Sequence, residues 1–250
     1  MRSLKRIFAL TRRNLKEIIR DPLSLIFMLA LPLLMLILFY LIFHKLTPQF
    51  EMKYLAPGIV VFGQTFLALF AGILISLDRS SSFLTRLYVS PAKSFEFIAA
   101  YFFALIPLGL LQSCLFFLTA VIIDFSFFSA YIFLGILSSL ITSLLFISFG
   151  ILFGTLCNEK SVGGIMSIII VGQSVLSGMW FPLEGLDDGF ISFMNALPFR
   201  NGTLFMQNVS TGNFYEPMKG VFLPLIILFT YIIVVFAVSV FVFHIKKTKK

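Results

Sequence analysis

Six uninterrupted apolar stretches, at residues 23–43, 55–77, 97–123, 130–156, 162–180 and 221–243, fill most of a 250-residue chain, and none contains Asp, Glu, Lys or Arg. A bilayer core about 30 Å thick is crossed by roughly 20 apolar residues rising about 1.5 Å each, so every stretch can span it as a helix. A water-soluble fold would have to bury six helices that are apolar on every face, and a domain of this size has too little interior for that. Only 12% of the residues are charged, 33 are Phe and the mean hydropathy is +1.03, so composition points the same way. The expected fold is all-α, a polytopic membrane protein with six transmembrane helices. With no repeat of fixed period and no long linker, residues 1–250 read as one domain.

The positive-inside bias sets the expected orientation. With both termini cytoplasmic, that side holds Arg2, Lys5, Arg6, Arg12, Arg13, Lys16 and Arg20, then Arg79, Arg86, Lys93 and Lys160, then Lys246, Lys247, Lys249 and Lys250. The other side keeps only Lys45, Lys53, Arg200 and Lys219. The net charge of +8 is thus a membrane signal. It is not a nucleic-acid footprint, because the basic residues flank spans and lack interleaved stacking aromatics.

Residues 1–21 contain no continuous apolar core of the kind a cleavable signal carries. At about 100° per residue, Leu4, Ile7, Phe8, Thr11, Leu15, Ile18 and Ile19 share one arc and the seven basic residues an adjoining one. This predicts an amphipathic helix along the inner leaflet, its cations towards lipid phosphates, ended by Asp21-Pro22. A plain basic topology anchor is the other reading of the same charge.

Inside the spans, Pro32 and Pro107 predict kinks, while Gly63, Gly72, Gly150, Gly154, Gly163 and Gly164 permit close helix approach. Gly150 and Gly154 form a GxxxG, and with Gly163, Gly164 and Gly172 they read as an interhelical seam. Cys114 and Cys157 have neither metal nor disulfide spacing and read as small packing residues. The only large polar groups within the spans are Gln64, Gln112 and Gln173, which either line a translocation path or bond neighbouring helices.

Residues 78–93, DRSSSFLTRLYVSPAK, are the longest candidate cytoplasmic loop. Phe83, Leu84, Leu87 and Tyr88 share one helical face, flanked by Arg79 and Arg86 and closed by Pro91. Such a helix fits the groove of a cytoplasmic partner and would pass the partner's movement to the adjoining spans. An interfacial turn whose Phe and Leu enter lipid is the competing reading.

This joint, together with YLAPG at 54–58, SVLSGMWFPLEGL at 174–186 and ALPF at 196–199, resembles the type-2 permease subunits of ATP-binding cassette exporters over nearly the whole chain. Asp78, Arg79, Leu84, Arg86, Leu87, Val89, Ser90 and Pro91 match the segment that, in that family, contacts the ATPase subunit. Ser82 and Thr85 stand where many members have Gly and Glu, and Asp187 where Pro is frequent. The resemblance implies a second permease copy or a paralogue, separate cytoplasmic ATP-binding cassette ATPase subunits, and an exporter in the cell membrane. It also implies no cofactor in this chain, with ATP and Mg held by the ATPase.

Residues 181–218 should face outside yet are apolar at helical spacing, with Phe190, Phe193, Met194 and Leu197, then Phe199, Leu204, Phe205 and Met206. One or two short re-entrant helices in the outer leaflet are expected, with Glu184, Asp187 and Asp188 at their watery edge. Phe181, Pro182 and Glu184 are candidates for an outer gate, a packed lid being the plainer reading.

Several chemistries are excluded by what these residues lack. Lys93-Ser94 and Lys160-Ser161 lack the glycines of a phosphate-binding loop, so no enzymatic hydrolysis of ATP is expected from this chain. Ser177 has no histidine partner, since His44 and His244 lie at opposite span ends, and neither histidine has metal-site company. A secondary carrier usually holds an ionisable group within the bilayer, and these spans hold none, although an ATP-independent channel or carrier stays open as the second reading.

Overall fold

The computed structural model describes residues 2–81 and 93–248. Among them there is no strand, and nine α-helices carry the fold. These are α1 (Arg2–Ile19), α2 (Pro22–Phe43), α3 (Met52–Ser80), α4 (Ser94–Ile123), α5 (Tyr131–Leu156), α6 (Glu159–Leu176), α7 (Asp188–Ala196), α8 (Pro198–Thr211) and α9 (Leu223–Thr248). Six segments are long and apolar enough to cross a membrane: α2 to α6, and Met218–Ile245 with α9.

Local chemistry sets the helix limits. Pro22 opens α2, where its missing N–H costs nothing, and the Asp21 carboxylate accepts from the Ser24 N–H. Asn158 and Asp187 cap α6 and α7 in the same way, through Ser161 and Phe190. Glu96 reaches back from the first turn of α4 to accept the Lys93 N–H at 3.1 Å, one half of a capping box.

The bundle is built around α3, whose membrane window is 83% buried, against 17% in α2, α6 and the last span. The outer helices offer apolar side chains to lipid, as α2 does with Leu23, Phe27, Leu34 and Leu41. The closest approach is between α3 and α5. A Cβ on Gly154 would stand 2.6 Å from the Gly72 carbonyl oxygen, and one on Gly150 would stand 2.7 Å from the Ala71 Cβ. The GxxxG therefore closes a seam inside this chain. Gly163 and Gly164, expected to join it, do not: nothing lies within 4 Å of a Cβ built at either, because they occupy the outward face of α6. Cys114 is likewise exposed rather than packed.

Pro32 has no N–H for the Met28 carbonyl four residues back, and Gln112 of α4 donates to that carbonyl at 3.2 Å. The same repair recurs at the last span, where Pro224 leaves the Gly220 carbonyl free and Asn208 of α8 donates to it at 3.1 Å. A five-residue π-turn, Met218–Phe222, introduces this span.

The fifth apolar stretch, read as one run to Trp180, divides. Its helix ends at Leu176, and Gly178 at φ +69° turns the chain, an angle that favours glycine. Trp180 then folds back among Phe39, Phe62 and Phe50, with ring centroids 4.8, 5.9 and 6.4 Å away, and its Nε1 donates to Ser174 Oγ at 2.8 Å. Beyond it, α8 lies against α3, α5 and α9 and buries Asn201, Phe205, Met206 and Val209.

Candidate coupling site

Charged side chains gather at the end of the bundle where α3 finishes and α4 begins. Asp78, in the last turn of α3, is only 3% exposed. Arg13 of α1 meets its carboxylate with both guanidinium nitrogens, each at 2.5 Å, and the Tyr101 hydroxyl of α4 donates to it at 2.5 Å. A fork on a carboxylate is the strongest ion-pair geometry available to Arg, and Tyr101 fills a remaining lone pair. Arg13 also pairs with Glu17 one turn on, at 3.0 Å. Burial pulls the Arg13 pKa down, but the bond and charge of Asp78 outweigh it, so the guanidinium is held above its ordinary value.

Two turns earlier on α1, Ser3 Oγ donates to Glu96 Oε1 at 2.5 Å and Arg6 lies 3.5 Å from Oε2. Glu96 is itself 3% exposed and caps α4. Arg6 and Arg13 are seven residues apart, hence on one face and about 10.5 Å apart along the axis. Neighbouring helices pack about 8–10 Å apart, so α1 crosses with one arginine at the foot of α3 and the other at the foot of α4.

Arg79 serves a third helix. Its Nη1 donates to the carbonyls of Gly154 (3.1 Å), Thr155 and Cys157 (2.8 Å), the unsatisfied C-terminal end of α5, where a cation also suits the helix dipole. Ser80 Oγ reaches Glu159 of α6 at 3.2 Å. The end of α3 is thus tied to α1, α4, α5 and α6 by polar contacts.

The coupling residues read from the sequence divide accordingly. Asp78 and Arg79 are turned into the chain and hold its elements together. Phe83, Leu84, Arg86, Leu87, Tyr88 and Pro91 lie outside the described residues. The expectation that all seven N-terminal cations face lipid phosphates is corrected for Arg6 and Arg13, which turn to buried carboxylates, while Lys5, Arg12, Lys16 and Arg20 stay exposed. The sequence pattern does not mark Arg13, Tyr101 and Glu96 as site residues. The signal for them was two carboxylates at span edges, which need partners once buried.

The three glutamines are not brought together. Each is 0% exposed and donates to another helix: Gln64 to the Ser139 carbonyl at 3.1 Å, Gln112 to Met28, and Gln173 to Thr203 Oγ1 at 3.1 Å. At the opposite end of α3, Phe181, Pro182 and Glu184 line a cavity of about 610 Å³ with Tyr54, Gly178 and Arg200.

A bundle of six membrane-length helices, joined at one end by buried ion pairs, defines a multi-pass membrane protein. The chain belongs to the ABC-2 type transporter family, whose model matches residues 5–209. It is accordingly a membrane permease of an ATP-binding cassette transporter. No curated protein matches it.

Proposed function

We propose that this permease is an exporter subunit, not itself an enzyme, which pairs with a second copy or a paralogue and is driven by two separate cytoplasmic ATPase subunits. Both termini are cytoplasmic in this reading, and the end of the bundle bearing α1 faces the ATPases. ATP and Mg belong to those subunits. Movement of the ATPase would push on residues 78–93, and the load would enter α3 at Asp78 and α4 at Glu96. The observation that carries this reading is the double attachment of α1, through Arg13 to Asp78 and through Arg6 to Glu96, which makes both feet of the segment one body. The path would run between permease copies, with Gln64, Gln112 and Gln173 acting as interhelical ties and Phe181, Pro182 and Glu184 bordering the outer exit.

The test is co-purification with the cytoplasmic ATP-binding cassette ATPase of the transporter. Arg86→Glu should lose most of the bound ATPase while its helical circular dichroism stays unchanged. Reconstituted alone, the permease should move nothing uphill. Full retention of the ATPase by the variant, or pumping by the lone chain, would remove the coupling role and favour an ATP-independent carrier.

A further inference from the structure

The cavity at the far end of α3 is lined by one cation, Arg200, and one carboxylate, Glu184, which form no ion pair with each other. Arg200, the third residue of α8, is half-buried, and its Nε donates to Asn195 Oδ1 at 2.6 Å. Among the described residues no carboxylate forms an ion pair with its guanidinium, and no hydrogen bond engages its two terminal nitrogens. Burial alone depresses its pKa, with no anion opposing the effect. A cation withdrawn from water without a partner is costly unless something supplies the missing charge. Gly178 provides the room: a Cβ there would stand 3.0 Å from Arg200 Nη1, and its φ of +69° resists side chains as well.

Met179, Phe181, Pro182, Leu183 and Leu204 form the apolar part of the wall, and Gln49, Tyr54, Glu184 and Gln207 its polar part. Thr47 also borders the cavity, and its hydroxyl is enclosed without a hydrogen-bond partner. About 610 Å³ is far more than one oxyanion needs and matches the usual size of small-molecule sites. The site therefore offers one half-buried guanidinium, able to fork onto an oxyanion, beside an apolar wall.

We infer that this cavity binds the oxyanion head of an amphiphile, with Arg200 on the head and the Phe181–Leu204 walls on the adjoining apolar portion. The inference rests on the permease reading and deepens it by naming the ligand chemistry at the proposed outer exit. An anionic bilayer lipid and an exported anionic amphiphile share this chemistry. Glu184, on the same rim, disfavours a ligand with a second negative charge.

Trp180 is the only tryptophan and directly precedes Phe181 of the wall, so its fluorescence reports on the site. The purified chain, without ATPase or nucleotide, would be placed in phosphatidylcholine vesicles containing equal small fractions of brominated phosphatidylglycerol or brominated phosphatidylcholine. The anionic probe should quench Trp180 several-fold more strongly. Arg200→Gln should erase the difference, and Arg200→Lys should keep much of it. Millimolar inorganic phosphate tests the head alone: it should reduce the anionic preference, and a preference that it leaves untouched would overturn the oxyanion reading. Equal quenching by both probes, or an anionic preference that survives Arg200→Gln, would overturn the inference. Should that variant fail to insert, Glu184→Gln must strengthen the preference, and an unchanged ratio would be equally fatal. Loss of ATPase association leaves this readout untouched, so the two proposals fail separately.

Discussion

A carboxylate 3% exposed at the end of a membrane-length helix has to be neutralised by something, and at Asp78 the partner comes from a helix 65 residues earlier in the chain. Removing one partner of a buried pair strands the other, at a cost of about 3–5 kcal/mol where the charge is fully enclosed. Arg13 has 26% of its side chain exposed, so the lower part of that range applies. Arg13→Gln should lower stability by about 3 kcal/mol in reversible denaturant unfolding in micelles. Arg13→Met combined with Asp78→Leu should recover most of that loss, since neither charge is then left buried alone. A double variant as unstable as the sum of its parts would mean that the pair supplies stability beyond mutual neutralisation. At the same scale, Gln112→Leu should cost about 1 kcal/mol by leaving the Met28 carbonyl bare, and clearly less beside Pro32→Ala, which restores the backbone donor. Additive losses in that cycle would show that Gln112 does not serve the proline-freed carbonyl.

Between elements, two pairs of glycines that look equivalent in the sequence differ in what faces them. A Cβ on Gly150 meets the Ala68 carbonyl and the Ala71 Cβ, whereas one on Gly164 meets nothing within 4 Å. Backbone cannot turn aside as a side chain can, so Gly150→Ala should force α3 and α5 apart and cost about 1–3 kcal/mol. Gly164→Ala should leave the melting temperature of the solubilised chain unchanged, and a comparable loss there would place a neighbour against α6. This contrast marks how far the sequence is legible. Apolarity over about 20 residues reports membrane helices without reference to neighbours, and Asp21-Pro22 and the Asp187 cap are local chemistry, so the elements could be read directly. Periodicity sorts α1 into apolar and basic arcs, but it cannot tell which edge of the basic arc meets buried acids, and so Arg6 and Arg13 looked like Lys5 and Arg12. The folding back of Trp180 was hidden for a similar reason: Gly178 within an apolar run reads as helix until its positive φ is seen. Asp78 and Arg79 were legible as important residues, but their inward direction depends on α1 and on the end of α5, both distant in sequence.

Across the whole molecule, α1 bridges the feet of α3 and α4 through Arg13 on Asp78 and Arg6 on Glu96. Arg6 and Arg13 are spaced like the helices they serve, about 10.5 Å along one axis against about 8–10 Å between neighbours, so in the proposed coupling a load on residues 78–93 need not splay α3 from α4. The Arg13–Asp78 pair, with its carboxylate buried, is screened by salt less than the exposed cations of α1. If this linkage transmits force, cutting it should leave ATPase docking intact and loosen the hold of α1 on α3 and α4. Spin labels at Arg12→Cys on α1 and Phe95→Cys on α4, both exposed positions, would be introduced after replacing Cys114 and Cys157 with Ser. Electron–electron distance measurements on the complex with its ATPase should give one narrow distribution, with and without a non-hydrolysable nucleotide. Arg6→Gln with Arg13→Gln should broaden that distribution and lower the stimulation of ATP hydrolysis by the permease, with co-purification unchanged. An equally narrow distribution in the double variant would show that packing alone fixes α1, and the two arginines would then lose the mechanical role assigned to them.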